Sequence, residues 1–375
     1  MAHPDILIVG GGVIGCAAAY ELAKAGLRVT VVERGEPGCE ASGAAAGMLA
    51  PQGETSAPGP LLEIGMASKA LYPGLAEELK ERTGLDIEYQ SRGALHLFFD
   101  AGDESLGRST CEWQREHGLS AELLGREELL KLEPHLAPEA RGALFLPEDH
   151  WVNNPRLVTA LVEAGSELGV EWRRETQVQE VIVRDGRVTS VSLGDSTIHS
   201  GGLLVAAGAW SGNLLRSAGF TLPVAPVRGQ IVALRQTPRL VSHVLHRKGH
   251  YMVPRQNGDL VVGSTMEWAG ESTRVTAQAV SELLDFALQA VPALGSAPVA
   301  RAWAGLRPWA PDGLPALGAW PGIEGLFLAT GHFRNGILLA PITARLIREL
   351  IIDGAPSINL DPFRPDRFTR EYDRD

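Results

Sequence analysis

Cysteine is nearly absent: Cys16, Cys39 and Cys111 are the only three in 375 residues. An odd number at such wide spacing forms neither a disulfide framework nor a CxxC-type metal site. It fits a reducing, cytoplasmic setting. Long apolar runs are missing too, with nothing approaching the ~18 residues of a membrane span. Basic residues are outnumbered, 34 against 45 acidic, for a formal net charge of −11. Nucleic-acid binding relies on clustered Lys and Arg that displace counterions, so that class is disfavoured. Val13-Ile14-Gly15-Cys16 has the outline of a lipoprotein cleavage site. Asp5, however, stands where an export signal would be positive, and three glycines interrupt the apolar stretch. Internal repeats and low-complexity tracts are lacking as well.

What is present describes a soluble globular chain. Hydrophobic residues make up 45% and charged residues 21%, which excludes intrinsic disorder. The 43 glycines and 24 prolines follow no fixed period, so they mark tight turns rather than a fibre. The length predicts two domains or one large one. Apolar runs and turn residues predict a strand at 5–9, a helix over 13–25 and a strand at 28–33, a βαβ unit of about 30 residues. Further helices are expected over 61–83, 154–168, 276–290 and 335–352. Short strands are expected at 93–99, 142–146, 203–207, 230–234, 250–254, 259–263 and 326–329, and a hairpin around Asp185-Gly186. βα units at both ends and in the middle, with antiparallel segments between, predict an α/β domain assembled from separate pieces with a second sheet inserted.

The sharpest local signal is Gly10-x-Gly12-x-x-Gly15, which follows the first strand and opens the first helix. The glycines allow a tight turn, close approach of backbone to a pyrophosphate, and helix–strand packing. The helix N-terminus then offers free N–H groups and partial positive charge to phosphates. Glu33 ends the second strand, where a carboxylate can accept hydrogen bonds from a ribose diol; it would repel the 2′-phosphate of NADP. The spacing predicts a dinucleotide site and leaves NAD and FAD open.

Four further stretches carry a resemblance: Ser42-Gly43-Ala44-Ala45-Ala46-Gly47-Met48, His250 to Arg255, Trp303 to Pro308, and Gly331 to Pro341. In this order behind the glycine loop, the chain resembles the FAD-dependent D-amino-acid oxidase superfamily, and within it the glycine oxidases of thiamine biosynthesis (ThiO), from residue 5 to about 368. The resemblance implies a Rossmann-like, GR2-type FAD-binding domain over 1–84, 150–222 and 300–375. It implies an antiparallel-sheet substrate domain over 85–149 and 223–299. FAD would be non-covalent, since the covalent sarcosine oxidases use a cysteine in the C-terminal third and none lies beyond Cys111. Gly10, Gly12, Val13, Ile14, Gly15, Glu33, Arg34 and Val178 would serve the ADP half. Ala41, Ser42, Ala46, Gly47 and Met48 would lie along flavin and pyrophosphate. His332, Phe333, Arg334, Asn335, Gly336, Ile337 and Leu338 would form the turn and helix start facing the flavin ring.

The resemblance also assigns the substrate end. Arg307, Arg334 and Tyr251 would bind an amino-acid carboxylate, with Arg307 the main clamp. A guanidinium in an apolar setting needs a partner, and its fork matches a carboxylate. Met48 and Met266 would form apolar walls, Gly53 the opposite side, and the 51–60 loop a partial cover. His250 receives no role, because it points to the other face of its strand. The implied activity is oxidative deamination of glycine, sarcosine and small D-amino acids by hydride transfer, with oxygen as acceptor and hydrogen peroxide as product. A D-amino-acid dehydrogenase passing electrons to a quinone shares the fold and clamp and is the alternative. The resemblance implies a homo-oligomer, often a tetramer, with no metal, nucleic-acid or membrane partner.

Overall fold

The structure, a computed structural model, describes residues 3–368. Its first unit is the expected βαβ. The strand Ile6–Val9 is wholly buried, the helix Val13–Lys24 covers it, and Val29–Val32 returns beside it in parallel register. A run of four apolar residues without alternation is what a strand covered on both faces requires. Six strands assemble here, in the order Ala316–Ala319, Leu326–Thr330, Gly202–Val205, Ile6–Val9, Val29–Val32, Glu171–Arg173. All neighbours are parallel except the first pair, which forms an antiparallel edge. The sheet draws its strands from the start, middle and end of the chain, as the βα pattern predicts.

One face of this sheet carries the helices Val13–Lys24, Asn154–Glu167 and Gly336–Ile352, packed through Ile14, Leu22, Leu161 and Leu339. The other face is closed by a three-stranded antiparallel sheet that contains the hairpin Glu180–Arg184 and Arg187–Ser192.

The second large sheet has eight strands. In order they are Val299–Trp309, Ala225–Arg235, Asp259–Gly263, His250–Pro254, Val244–Arg247, Ala94–Phe98, Gly142–Leu146 and Glu122–Gly125. Every pair is antiparallel except Val244–Arg247 with Ala94–Phe98. Its outer face is covered by the helix Ala277–Ala290, with Leu283 and Ala287 fully buried.

Three expectations need correction. Residues 300–309, assigned with the nucleotide-binding part, form the edge of the eight-stranded sheet, because Val299–Trp309 pairs along almost all of Ala225–Arg235. The single helix expected over 61–83 is two, Pro60–Lys69 and Tyr72–Thr83. Pro73 lacks the N–H that a continuous helix needs, and it sits instead in the first turn of the second. The helix Ala101–Glu116 was not anticipated; Asp100 caps it by accepting from Asp103 N at 2.8 Å. No helix among the described residues is long and apolar enough to cross a membrane.

Candidate active site

A cavity of about 660 Å3 runs between the two large sheets, from Glu33 at one end to Arg307 at the other. Its first wall is the glycine turn. A Cβ on Gly10 would run into the carbonyl of Ala206, and one on Gly15 into the carbonyl of Gly10. The turn therefore has no room for side chains, and Gly10 further adopts φ 108°. Glu33 accepts the N–H groups of Gly11 at 2.6 Å and Gly35 at 2.9 Å, so its carboxylate is fixed at the strand end. Beside it the Arg34 guanidinium lies 3.6 Å from the Trp210 ring centre and pairs with Glu40.

The second wall is the short segment 41–48. Ser42 Oγ accepts the N–H of Val13 at 2.9 Å, joining this segment to the glycine turn. The amide of Asn154 donates to the carbonyl of Ser42 at 2.6 Å. Arg255 is buried and donates to the carbonyls of Val152 and Ala46 and to Asn154 Oδ1, at 2.7, 2.8 and 3.0 Å. Trp303 Nε1 reaches the carbonyl of Ala44 at 3.0 Å. The third wall is the turn 332–335 and the N-terminus of Gly336–Ile352. His332 is buried against Thr343 at 3.1 Å, and burial pushes its pKa down to about 3, so the ring is neutral.

The far end is built on the eight-stranded sheet. Arg307 and Val227 are cross-strand partners, which brings Gly229 onto the same face, and the guanidinium lies over it. Arg307 donates to Ser264 Oγ at 2.5 Å and to the carbonyl of Thr265 at 3.1 Å. Burial draws its pKa below the usual guanidinium value. Tyr251 is buried above Gly263, where a Cβ would come within 2.7 Å of the phenol oxygen. Behind Tyr251 the row continues through His246 to His96, whose rings stack at 4.6 Å. Arg334 lines the same end, held by Glu54 through Nε–Oε2 at 2.8 Å and Nη2–Oε1 at 3.1 Å. The loop bearing Glu54 is anchored by buried Asp149, which accepts the N–H groups of Gln52 and Gly53 at 3.1 and 2.8 Å. Burial raises the Asp149 pKa to about 7 against the pull of those two donors.

Almost all of the residues singled out in the sequence line this one cavity: Gly10, Gly12, Val13, Ile14, Glu33, Arg34, Ala41, Ser42, Ala46, Gly47, Met48, Val178, Tyr251, Arg307 and the stretch from His332 to Ile337. Three do not. Gly15 packs under Gly10, so its part is structural. Leu338 points into the core, and its carbonyl accepts from Ser68. Met266 is 64% exposed and borders a separate hollow on the outer side of the two arginines, so it forms no wall of the main cavity. His250 also faces that hollow and pairs with Glu282 at 3.1 Å. Sequence reasoning missed Glu54, Trp210, Asn154 and Arg255. A run such as Val253-Pro254-Arg255 signals a strand end, but not that the guanidinium reaches across to Ala46, Val152 and Asn154.

The cradle fits a dinucleotide with a flavin. Backbone without side chains lines the glycine turn, Glu33 stands at the strand end, and a helix N-terminus opens on the other half. Comparison with known proteins agrees. A family model described as FAD dependent oxidoreductase (DAO) matches residues 5–350. The chain is 39% identical over 363 residues to a glycine oxidase of Geobacillus kaustophilus, covering 96% of each. A crystal structure of glycine oxidase from that organism superposes with a TM-score of 0.94 at 37% identity, covering 98% of this chain and 99% of the other. A bifunctional protein ThiO/ThiG of Synechocystis is 38% identical over 371 residues, which are 97% of this chain and 54% of that protein. On sequence, fold and the shape of its cradle, the chain belongs to the DAO family of FAD-dependent oxidoreductases.

Proposed function

We propose that this chain is an oxygen-dependent oxidase that deaminates glycine, and with it sarcosine and small D-amino acids. One observation carries the reading. Arg307, partly buried at the end of the cavity, hydrogen-bonds to a hydroxyl and a carbonyl and forms no ion pair with an acidic side chain among the described residues. A partly buried cation with only neutral acceptors is suited to an anionic ligand, and the guanidinium fork matches a carboxylate. Tyr251 adds a phenol beside it. Bound FAD supplies the acceptor for a hydride.

The chain's own residues bind and orient. Arg307 and Tyr251 hold the carboxylate, Met48 and Ile231 give the cavity apolar lining that limits water, and the neutral ring of His332 adds no charge beside the cofactor. The product imine hydrolyses to the 2-oxo acid, glyoxylate from glycine, and ammonia; oxygen leaves as hydrogen peroxide. The imine is also a suitable precursor for the thiazole of thiamine, a link supported by the likeness to the ThiO/ThiG protein. Assembly as a homotetramer belongs to the same proposal. The test is a panel of amines with a peroxide readout: glycine should give peroxide, and amines without a carboxylate should not. Turnover with an artificial acceptor but without peroxide would place the chain among the dehydrogenases.

A further inference from the structure

We infer that Glu54 anchors the ammonium group of the substrate, so that the site recognises the zwitterion at both ends. The inference rests on the proposed carboxylate clamp and names the second half of it. At the far end of the cavity two guanidiniums differ in their partners. Arg334 is held two-pronged by Glu54, which engages Nε and Nη2 and makes the pair neutral overall. Arg307 forms no ion pair among the described residues and meets the Ser264 hydroxyl, the Thr265 carbonyl and the Tyr251 phenol. The carboxylate of an arriving amino acid is therefore drawn to Arg307. Its ammonium needs an anion at short range, and Glu54 is the carboxylate that this end offers. Glu33 and Glu40 lie at the opposite end with Arg34, and Glu271 sits on an exposed loop.

Glu54 is prepared for that contact. Its side chain is 10% exposed. Each oxygen spends one lone pair on Arg334 and keeps another. The backbone beneath it is pinned: Glu54 N donates to the carbonyl of Ala50 at 3.1 Å, Thr55 Oγ1 to that of Pro51 at 2.8 Å, and Asp149 holds the two preceding N–H groups. Arg334 is then a positioning residue that aims Glu54. One consequence concerns selectivity. A substrate bearing a second carboxylate on its nitrogen brings like charge against Glu54 and is rejected.

The experiment uses ligands that cannot be turned over. 1-Aminocyclopropane-1-carboxylate has no α-hydrogen, and cyclopropanecarboxylate lacks the amine. Each is titrated into the FAD-loaded protein and read by flavin absorbance and by thermal shift. The wild type should bind the amino acid at least ten-fold more tightly than the plain acid. Glu54→Gln should lose most of that preference while binding the plain acid as before, and Glu54→Asp, which keeps the charge, should keep its sign. A preference retained in Glu54→Gln, or lost equally in both variants, overturns the assignment and leaves Glu54 as a structural partner of Arg334. A wild type that binds neither acid overturns the carboxylate clamp itself, and this inference with it.

Discussion

The guanidinium of Arg307 occupies the space in which any residue other than glycine at position 229 would carry its Cβ. Arg307 and the bare backbone beneath it lie on neighbouring strands and are sterically coupled. Gly229→Ala should push the guanidinium off Ser264 and Thr265 without touching the cofactor cradle. Hydrogen bonds to charged groups are worth about 1.5–3 kcal/mol, so kcat/KM for glycine should fall roughly ten-fold or more. FAD affinity should stay unchanged in the same preparation, and steady-state kinetics with a flavin titration check both.

Arg307→Lys keeps the charge and loses the fork. Glycine has no side chain to help hold it, so kcat/KM should drop by about 10²-fold, equivalent to roughly 2.7 kcal/mol. A larger D-amino acid with apolar contacts should lose less. Near wild-type glycine oxidation with FAD fully bound would make Arg307 structural.

Glu33 uses its two carboxylate oxygens on two backbone N–H groups. A Gln there has one acceptor oxygen and one amide nitrogen, so it can satisfy only one of them well. Glu33→Gln should weaken FAD binding about ten-fold and also lower the stability of the apoprotein, by about 1 kcal/mol. Unaltered FAD affinity, measured by fluorescence titration, would remove Glu33 from the cofactor site.

Asp149 carries a pH signature. Burial raises its folded pKa to about 7 from the ordinary aspartate value of 3.8, so the folded state binds the proton more tightly than the unfolded chain does. Between those values stability decreases as pH rises, and the cost of the buried anion is fully present above about pH 7. Asp149→Asn removes that ionisation. Its melting temperature should vary less than that of the wild type from pH 4 to 7, and equal slopes would contradict the assignment.

The flavin should be released whole by acid. Cys16 and Cys111 are buried and Cys39 lies beside Gly35, and none of the three borders the cavity. Precipitation should leave all yellow colour in the supernatant, and a yellow pellet would show a covalent bond.

Features set by local sterics were legible in the sequence. The glycine turn, the acid at the strand end and the apolar setting of Arg307 declare themselves within a few residues, because a forbidden Cβ or a lone cation is a local fact. What escaped depends on chain distance. Glu54 and Arg334 are 280 residues apart, and Arg255 and Ala46 are 209 apart. The exposure of Met266 follows from its position beyond the strand Asp259–Gly263, where the chain has already left the cavity. Residues 300–309 were misassigned because their pairing with Ala225–Arg235 is decided by the partner strand, not by their own composition.

Arg255 ties the two halves of the molecule together. It directly follows the strand His250–Pro254 of the eight-stranded sheet, yet its three bonds end on backbone and side chain that frame the flavin cradle. Swinging the sheets apart would break buried, charge-assisted bonds worth several kcal/mol together. A clamshell opening is thus the costly route into the cavity. The stretch from Ser56 to Pro58 is exposed, and rearranging it sacrifices little buried contact. Substrate traffic should follow the motion of this flap, on the timescale of a loop rather than of a domain.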